Sequence, residues 1–492
     1  MNEVGTSLRL FAPELLMVLA IVVLFLLDAF VPLTRSNRTP LYLILGTCLL
    51  GVLVTYANGF LPSALFFSGS VAHDPFSGFF RYLFLFSCGL SAYIAYGAKE
   101  LDVKNRLEFS ILLLSVTFGL SLMALATNLL VLYIGIETVS IISFVMAGYN
   151  REDVKSNEAS LKYFIFGALS SGLMLYGMSL LYGYSGSLQY QEIGKAITEV
   201  ASVPLVLSLA LVMIYAGFAY KISAFPMHFW TPDVYEGAPT PVATFFSVGP
   251  KAAGFAAMIR FLIDCLTQPG ADGSFQALGQ LRIVDGVAVL AALTMCAGNL
   301  SALAQTNVKR MLAFSSIAHV GYMLMGLISL DTIGLQAILF YLIAYCIMNL
   351  GAFWVASIVS DLKGSAELDS FRGVGRELPV LGICMAIFLF SLTGIPMFSG
   401  FVGKFLLFAT VIKMSGYLWL ALLGVINSVV SLYYYAKILK AIWMEEPARV
   451  QTRPLSAYHG IGLMGLAIPT IVLGLFFGPV IGFALAALKT LL

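Results

Sequence analysis

The chain has 492 residues, of which 60% are hydrophobic, 13% aromatic and only 11% charged, with a mean hydropathy of +0.94. Soluble domains average about 25% charged residues, so a soluble enzyme and a disordered tail are excluded, and an all-α polytopic membrane protein remains. The formal net charge of +2 says little about partners, although its distribution along the chain says more.

Transmembrane β-barrels alternate apolar and polar residues over short strands. Here the uncharged runs are continuous, as over 200–220 and 461–488. Runs of roughly twenty residues, enough to span a bilayer core, recur about fourteen times. They centre near residues 20, 49, 85, 116, 138, 170, 212, 254, 291, 319, 345, 396, 428 and 473. The first is expected to be a retained helix, since Glu3 offsets Arg9 and no A-x-A site follows. The expected organisation is a three-helix segment (1–105), two five-helix units (106–270 and 280–445) and a C-terminal helix (455–492).

Of the 27 Lys and Arg, seven fall inside spans. Fifteen lie in one set of alternate loops, among them Arg35, Arg38, Lys99, Lys104, Arg106, Arg151, Lys155, Lys309, Arg310, Arg449 and Arg453. Five lie in the other: Arg9, Lys195, Arg282, Lys413 and Lys489. Positive charge collects on the cytoplasmic side, so both termini are expected outside, which agrees with an even span count, since that puts both on one side.

Charged residues within spans are costly and by default functional candidates. In chain order they are Arg81, Glu137, Lys162, Lys221, Lys251, Arg260, Lys404 and Lys437. Arg81 and Arg260 lie nearer span ends, where a long side chain can snorkel, and read as structural. Glu137, in LVLYIGIETVSIISFVMAG, cannot easily snorkel, so it must be paired or protonated. Lys162 follows Glu158 by four residues, which fits a helical ion pair as well as a transport role. Lys221 is followed by Pro226, which removes a backbone hydrogen bond. A break at mid-membrane is tolerated where it lines a cavity or is buried in protein, and freed carbonyls at a half-helix end favour a cation. His228, seven residues on, is either a proton relay or a structural histidine.

The pattern returns at Gly394, Pro396, Gly400, Gly403 and Lys404, five spans after the first break. A directly repeated unit with an odd number of helices must be inverted in the membrane, the arrangement of many transporters. The span of Glu137 then corresponds to that of His319, and the span of Lys251 to that of Lys437. A hydrated polar axis along the membrane plane is expected. Two other readings fall away. The six cysteines (48, 88, 265, 296, 346, 384) lack the close spacing of metal or cluster sites, and GFVGK at 400–404 lacks the rest of a phosphate loop.

The stretches LYIGIETVSI, SNEASLKYFIFGALSSGLMLYG, YKISAFPMHFWTPDVYEGAPTPV, SSIAHVGYML and GIPMFSGFVGKF resemble the antiporter-like membrane subunits of respiratory complex I, proton-pumping NADH:quinone oxidoreductase. The resemblance covers nearly the whole chain, is most specific over 221–242, and is greatest to the N-type branch, the bacterial counterpart of mitochondrial subunit 2. It implies fourteen helices with inverted five-helix repeats. It also implies that Glu137 and Lys221 form the charged pair of a proton channel, with Lys251 central, His228 connecting and Lys404 terminal. Lys162, His319 and Lys437 are further candidates on the path. Within the family, the M-type sibling carries glutamate where Lys404 stands. The L-type has a long lateral helix that this chain is expected to lack. Animal versions are shorter by three spans, which points to a bacterial or plastid source.

The resemblance further implies no cofactor in this subunit. NADH, FMN, iron–sulfur clusters and quinone would belong to partner subunits. The expected surroundings are sibling antiporter-like and small membrane subunits, membrane lipid and no nucleic acid, in a bacterial inner membrane with periplasmic termini. The alternatives are a subunit of a multi-subunit cation/proton antiporter, or a membrane-arm subunit that pumps nothing. The expected mechanism is a change in the Glu137–Lys221 distance that stabilises or releases a proton on a desolvated lysine.

Overall fold

The computed structural model describes residues 3–30, 38–101, 106–198, 204–270, 275–278, 282–447, 454–489 and 491. Arg35, Lys104, Arg449 and Arg453, which enter the loop-charge count, lie outside them. The chain opens with α1 (Glu3–Leu10), α2 (Ala12–Phe30) and α3 (Thr39–Asn58). A hairpin follows, β1 (Ala64–Phe66) and β2 (Val71–His73), antiparallel with Ala64 opposite His73. Then come α4 (Pro75–Gly97), α5 (Arg106–Leu125), α6 (Leu129–Ala147), α7 (Val154–Ser185) and α8 (Tyr190–Thr198). Next are α9 (Leu205–Ile222), α10 (Trp230–Gly237) and α11 (Thr240–Leu266), with a second hairpin of β3 (Thr267–Pro269) and β4 (Phe275–Ala277). The remainder is α12 (Ile283–Leu303), α13 (Val308–Met325), α14 (Thr332–Lys363), α15 (Val374–Glu377), α16 (Pro379–Thr393), α17 (Ser399–Ile412), α18 (Leu418–Met444), α19 (Ala457–Leu475) and α20 (Gly478–Leu488).

Among the described residues, twelve helices are singly long and apolar enough to cross a membrane: α2 to α7, α9, α11, α12, α14, α18 and α19. The expected spans centred near 319 and 396 are the two that do not qualify alone. Helix α13 carries Lys309, Arg310 and His319 in eighteen residues, and the other is divided into α16 and α17.

Helix α11 is buried along its whole apolar window and α14 along 89% of its own, whereas α2 and α19 are only 22% buried. The first two therefore form the centre and the last two the rim. Small residues permit this: a Cβ on Gly254 of α11 would stand 2.6 Å from Ile222 of α9, so glycine lets the two backbones approach closely. Outward faces carry Leu19, Leu49, Leu209, Val212 and Val429, the apolar coat expected against lipid tails. Polar residues start the helices. Asn128, Asp153, Asn307 and Asp331 each accept a backbone N–H from the first turn of the helix they precede, satisfying donors that have no intrahelical partner.

Arg81 and Arg260 do not snorkel. Arg81 is 1% exposed and donates to both oxygens of Glu14 at 2.8 and 2.9 Å. Arg260 is 2% exposed and donates to both oxygens of Asp74 at 2.8 and 3.0 Å. The fold brings a carboxylate to each guanidinium, and the planar fork matches it bidentately. Asp74 also caps α4, accepting from the backbone N–H of Ser77. Burial alone would raise its carboxyl, but Arg260 and Ser77 hold it below the usual range.

These pairs staple α2 to α4 and α4 to α11, which yields a first test. Removing one member leaves a buried charge uncompensated and should cost about 3–5 kcal/mol, whereas replacing both is close to neutral. Arg81→Met should therefore sharply lower the assembled amount and heat stability of the chain in membranes. The double variant Glu14→Gln/Arg81→Met should recover most of both. A single variant as abundant and heat-stable as wild type contradicts the stapling role.

Candidate functional site: a buried polar axis

Two helix breaks organise the interior. Helix α9 stops at Ile222 because Ser223 takes a left-handed conformation, φ 64°, and helical structure resumes only at Trp230. The carbonyl of Tyr220 freed there accepts from the indole N–H of Trp230 at 3.2 Å. The backbone N–H of Phe225 donates to the Thr294 hydroxyl on α12 at 3.0 Å. His228 lies within this break, not two turns along a resumed helix. Its ring stacks on Phe225 and Phe229, and its buried Nδ1 has no hydrogen-bond partner among the described residues. Helix α16 likewise ends at Gly394, φ 89°, and α17 begins at Ser399.

Lys221 is 3% exposed. Its ammonium donates to the Ser140 hydroxyl at 2.7 Å, not to a freed carbonyl as expected. Ser140 stands on α6 three residues after Glu137, so the two share a helix face. Glu137 acts electrostatically on Lys221, yet no ion pair joins them, and Glu137 Oε1 is buried without a hydrogen-bond partner among the described residues. The deep carboxylate is thus near its cation and unlocked from it. Lys221 packs towards Gly254, where a Cβ would stand 3.4 Å from its own; Gly254 is one turn beyond Lys251 on α11.

Lys251, 1% exposed, donates to the Ser316 hydroxyl of α13 at 2.5 Å, with its ammonium 5.5 Å from the centre of the Tyr235 ring. One turn along α13, His319 pairs through Nδ1 with the Tyr341 hydroxyl at 2.6 Å and through Nε2 with that of Tyr435 at 3.2 Å. Tyr435 also bonds Ser315. The His319 ring lies 5.8 Å from that of Tyr322, the ring over which Lys404 stands, while Ser316, one turn away, meets Lys251. Lys404, 3% exposed, donates to the Thr393 carbonyl at 2.9 Å and the Ser428 hydroxyl at 3.0 Å, and lies 4.5 Å from the centre of the Tyr322 ring. Here a cation does meet a carbonyl freed at a half-helix end, the favourable pole of the helix dipole.

The other candidates are placed elsewhere. Lys162 is 38% exposed, in a charge cluster where α7, α10 and α13 meet around a cavity of about 210 Å³. It pairs with Glu158 and Asp233, each at 2.7 Å, while Arg310 bridges Asp233 and Glu236 at 2.5 and 3.2 Å. Lys437 is half-buried and donates to the Leu303 carbonyl at 2.8 Å. Gly400 of the GFVGK stretch donates its N–H to Ser391 across the second break, so that helix start serves its own fold. Among the described residues no group of three or more His, Cys, Asp or Glu is placed to hold a metal ion.

A search restricted to charge and helix breaks passes over Ser140, Ser316, Tyr322, Tyr341, Tyr435 and Ser428. Ser140 and Ser316 carry a faint signal, three residues from Glu137 and His319 respectively; Ser428 carries none. The tyrosines carry none, since aromatic residues also serve as core and as lipid coat.

Several similarities accompany this geometry. A family model described as NADH:quinone oxidoreductase/Mrp antiporter, TM, matches residues 126–431. NADH-quinone oxidoreductase subunit N 2 of Sorangium cellulosum is 42% identical over 504 aligned positions, covering 99% of this chain and 98% of that protein. A chain of respiratory complex I from Thermus thermophilus, solved with bound aureothin, superposes with a TM-score of 0.79 at 31% identity, over 96% of this chain and 99% of that one. A chain of the Mrp complex from a Dietzia species reaches 0.84 at 20% identity, over 99% and 98%, a likeness of fold alone.

The second break offers a test of the geometry itself. A Cβ on Gly394 would stand 3.0 Å from Lys404 Cδ, in a left-handed conformation. Gly394→Ala should destabilise the chain by about 1–2 kcal/mol. Gly46→Ala on α3, where a Cβ meets open space, should not. Equal thermal stability of the two variants would contradict the geometry.

Proposed function

From the premise that this chain belongs to the NADH:quinone oxidoreductase/Mrp antiporter family of membrane subunits, we propose that Glu137, Lys221, Lys251, His319 and Lys404 carry protons across the membrane. The chain is an antiporter-like, proton-translocating membrane subunit of complex I, of the N type, partnered with the other membrane subunits of that assembly. It is a multi-pass membrane protein and a component of an enzyme complex. Our further assignments are a non-redox role for this subunit, and NADH, FMN, iron–sulfur clusters and quinone in partner subunits. We also assign fourteen passes, counting α13 and the α16–α17 pair, with both termini on the periplasmic side of an inner membrane. Breaks at corresponding places in 106–270 and 280–445, each opened by a left-handed residue, support the inverted repeats.

One observation carries the proton reading. Arg81 and Arg260 are locked bidentately to carboxylates. Among the described residues the equally buried Lys221, Lys251 and Lys404 meet only hydroxyls, a carbonyl and aromatic faces. A cation fixed to a carboxylate is held; one held by neutral acceptors can lose its proton and keep its place. Arginine cannot deprotonate in a protein, and a buried lysine can. Movement of Glu137 towards Lys221 would stabilise the charged lysine, and retreat would release a proton towards Lys251. Ser316, His319, Tyr341 and Tyr435 continue the chain towards Lys404. Buried polar atoms without a partner among the described residues, Glu137 Oε1 and His228 Nδ1 among them, are points that water would bridge. His228 lies beside this path; Lys162 and Lys437 are assigned to its margins.

The antiporter-subunit alternative shares the fold. Identity of 42% along almost the whole length to a quinone-oxidoreductase subunit, against 20% to an Mrp chain, favours complex I.

Lys404 supplies the test. If it only provides a fixed field, Lys404→Arg should rescue activity and Lys404→Ala should not. As a proton carrier it should fail about as badly with Arg as with Ala. Lys404→Glu, the residue that the M-type sibling resembles having there, should retain some activity because it titrates. NADH-driven proton uptake in vesicles at matched complex abundance measures this; full activity with Arg would end the carrier role of Lys404.

A further inference from the structure

The ammonium of Lys404 stands over the face of the Tyr322 ring. The hydroxyl at the far end of that ring is held from α12, where it accepts from the Asn299 amide at 3.4 Å. Asn299 is fully buried, and both polar atoms of its carboxamide are engaged. Its nitrogen also donates to Oδ1 of Asn427 on α18 at 3.0 Å, and its oxygen accepts from the Tyr434 hydroxyl at 3.0 Å. The Asn427 nitrogen donates in turn to the Leu423 carbonyl at 3.0 Å. A carbonyl can only accept, so that bond fixes which way both amides point. Asn427 must turn its oxygen to Asn299, and Asn299 must turn its own to Tyr434.

Close packing of α12 on α13 brings Asn299 to the ring. A Cβ on Gly298 would stand 2.5 Å from the Ala318 backbone nitrogen, and one on Gly321 would stand 2.6 Å from that of Met295. The two backbones therefore meet beside both residues of the pair. Joining α12 to α18 needs only Asn427 and Tyr434; the further bond of Asn299 ends on the ring that faces Lys404. An aromatic ring is negative on its face and positive at its edge. Its orientation thus decides whether it attracts or repels a cation beside it.

We propose that Asn299 is a positioning residue for Lys404: by holding the Tyr322 hydroxyl it keeps the face of that ring turned to the ammonium. This rests on the proton-carrier reading of Lys404 and adds a residue that acts on it through a ring. Among the described residues, the groups around Lys404 are Tyr322 and His319 of α13, Tyr341 of α14 and Ser428 of α18. Tyr345, Tyr434 and Tyr435 lie behind them. The carboxylates of α14 are engaged at its two ends, Asp331 with the Gly334 N–H and Asp361 with that of Lys99. Lys309 and Lys437 bond carbonyls at Ala238 and Leu303. Cys384 lies nine residues before Thr393 on α16, and Tyr458 and His459 open α19 beside Tyr93 and Trp354. The Tyr322 face is thus the nearby element that one hydrogen bond can turn.

The pH profile of NADH-driven proton uptake, in vesicles holding the intact complex at matched abundance, tests this. Without the ring face the charged lysine loses an attraction, so the alkaline limb of the profile should move to lower pH. Tyr322→Leu, which removes the ring, should move it by about one pH unit, the worth of a desolvated cation–π contact. Asn299→Leu should move it in the same direction. Tyr322→Phe cuts the same anchor without touching α12, and it should do so too, which keeps the test open if Asn299→Leu fails to assemble. In a Tyr322→Leu background, Asn299→Leu should add no further shift, because both act through one ring. A merely structural Asn299 would lower abundance or rate equally at every pH and leave the limb in place, which overturns the proposal. So would a wild-type profile in Tyr322→Phe, or shifts that add in the double variant. Lys404→Arg separates the two readings. Full activity there ends the carrier role and this proposal with it, whereas loss of activity there with an unmoved limb in Asn299→Leu and Tyr322→Phe overturns this proposal alone.

Discussion

A charge buried in the membrane must be compensated, and the manner of compensation decides what it does. This chain uses two manners. Near the helix ends, Arg81 and Arg260 are closed onto Glu14 and Asp74 with two hydrogen bonds each. Such pairs are costly to break and useless for transport, and they fasten the N-terminal helices to the central α11. Along the middle, lysine replaces arginine and neutral oxygen replaces carboxylate. There the alternative to charge is a neutral amine, a state open to lysine and closed to arginine. Neighbours so arranged titrate as one system, not residue by residue.

The breaks in α9 and in the α16–α17 pair follow from the same constraint. A continuous helix offers a buried cation nothing, because its carbonyls are spent on its own hydrogen bonds. Ending α16 at Gly394 frees the Thr393 carbonyl for Lys404. At the first break the freed carbonyl of Tyr220 is taken by Trp230, and Lys221 turns to Ser140 on α6 instead. The two halves therefore solve one problem with different partners. That difference ties Lys221 to the helix of Glu137, and Lys404 to its own broken helix and α18.

Much of this was legible in the residues. Long uncharged runs announced the membrane class, and the rare charges within them, with Pro226 and Gly394 nearby, marked Lys221 and Lys404. What escaped was whatever depends on pairing across distance. Glu14 and Asp74 are unremarkable acids until folding sets them against Arg81 and Arg260, so snorkelling seemed the natural outcome. His228 looked helical by spacing because nothing local shows that Ser223 turns left-handed. The tyrosine links between His319 and Lys404 were hidden because a hydroxyl on an aromatic ring has no periodic signature. Lys162 sits in a span by hydropathy, but its length carries it out to Asp233 at the rim.

Under the proposed path, Lys251 joins the Lys221 side to the His319 side among the described residues. The most direct measurement is the number of protons translocated per NADH oxidised in vesicles holding the intact complex with Lys251→Met, at matched complex abundance. Methionine fills the space and cannot titrate. The account predicts a lower ratio than wild type, because this subunit's share is lost. A wild-type ratio at a normal turnover rate would contradict it.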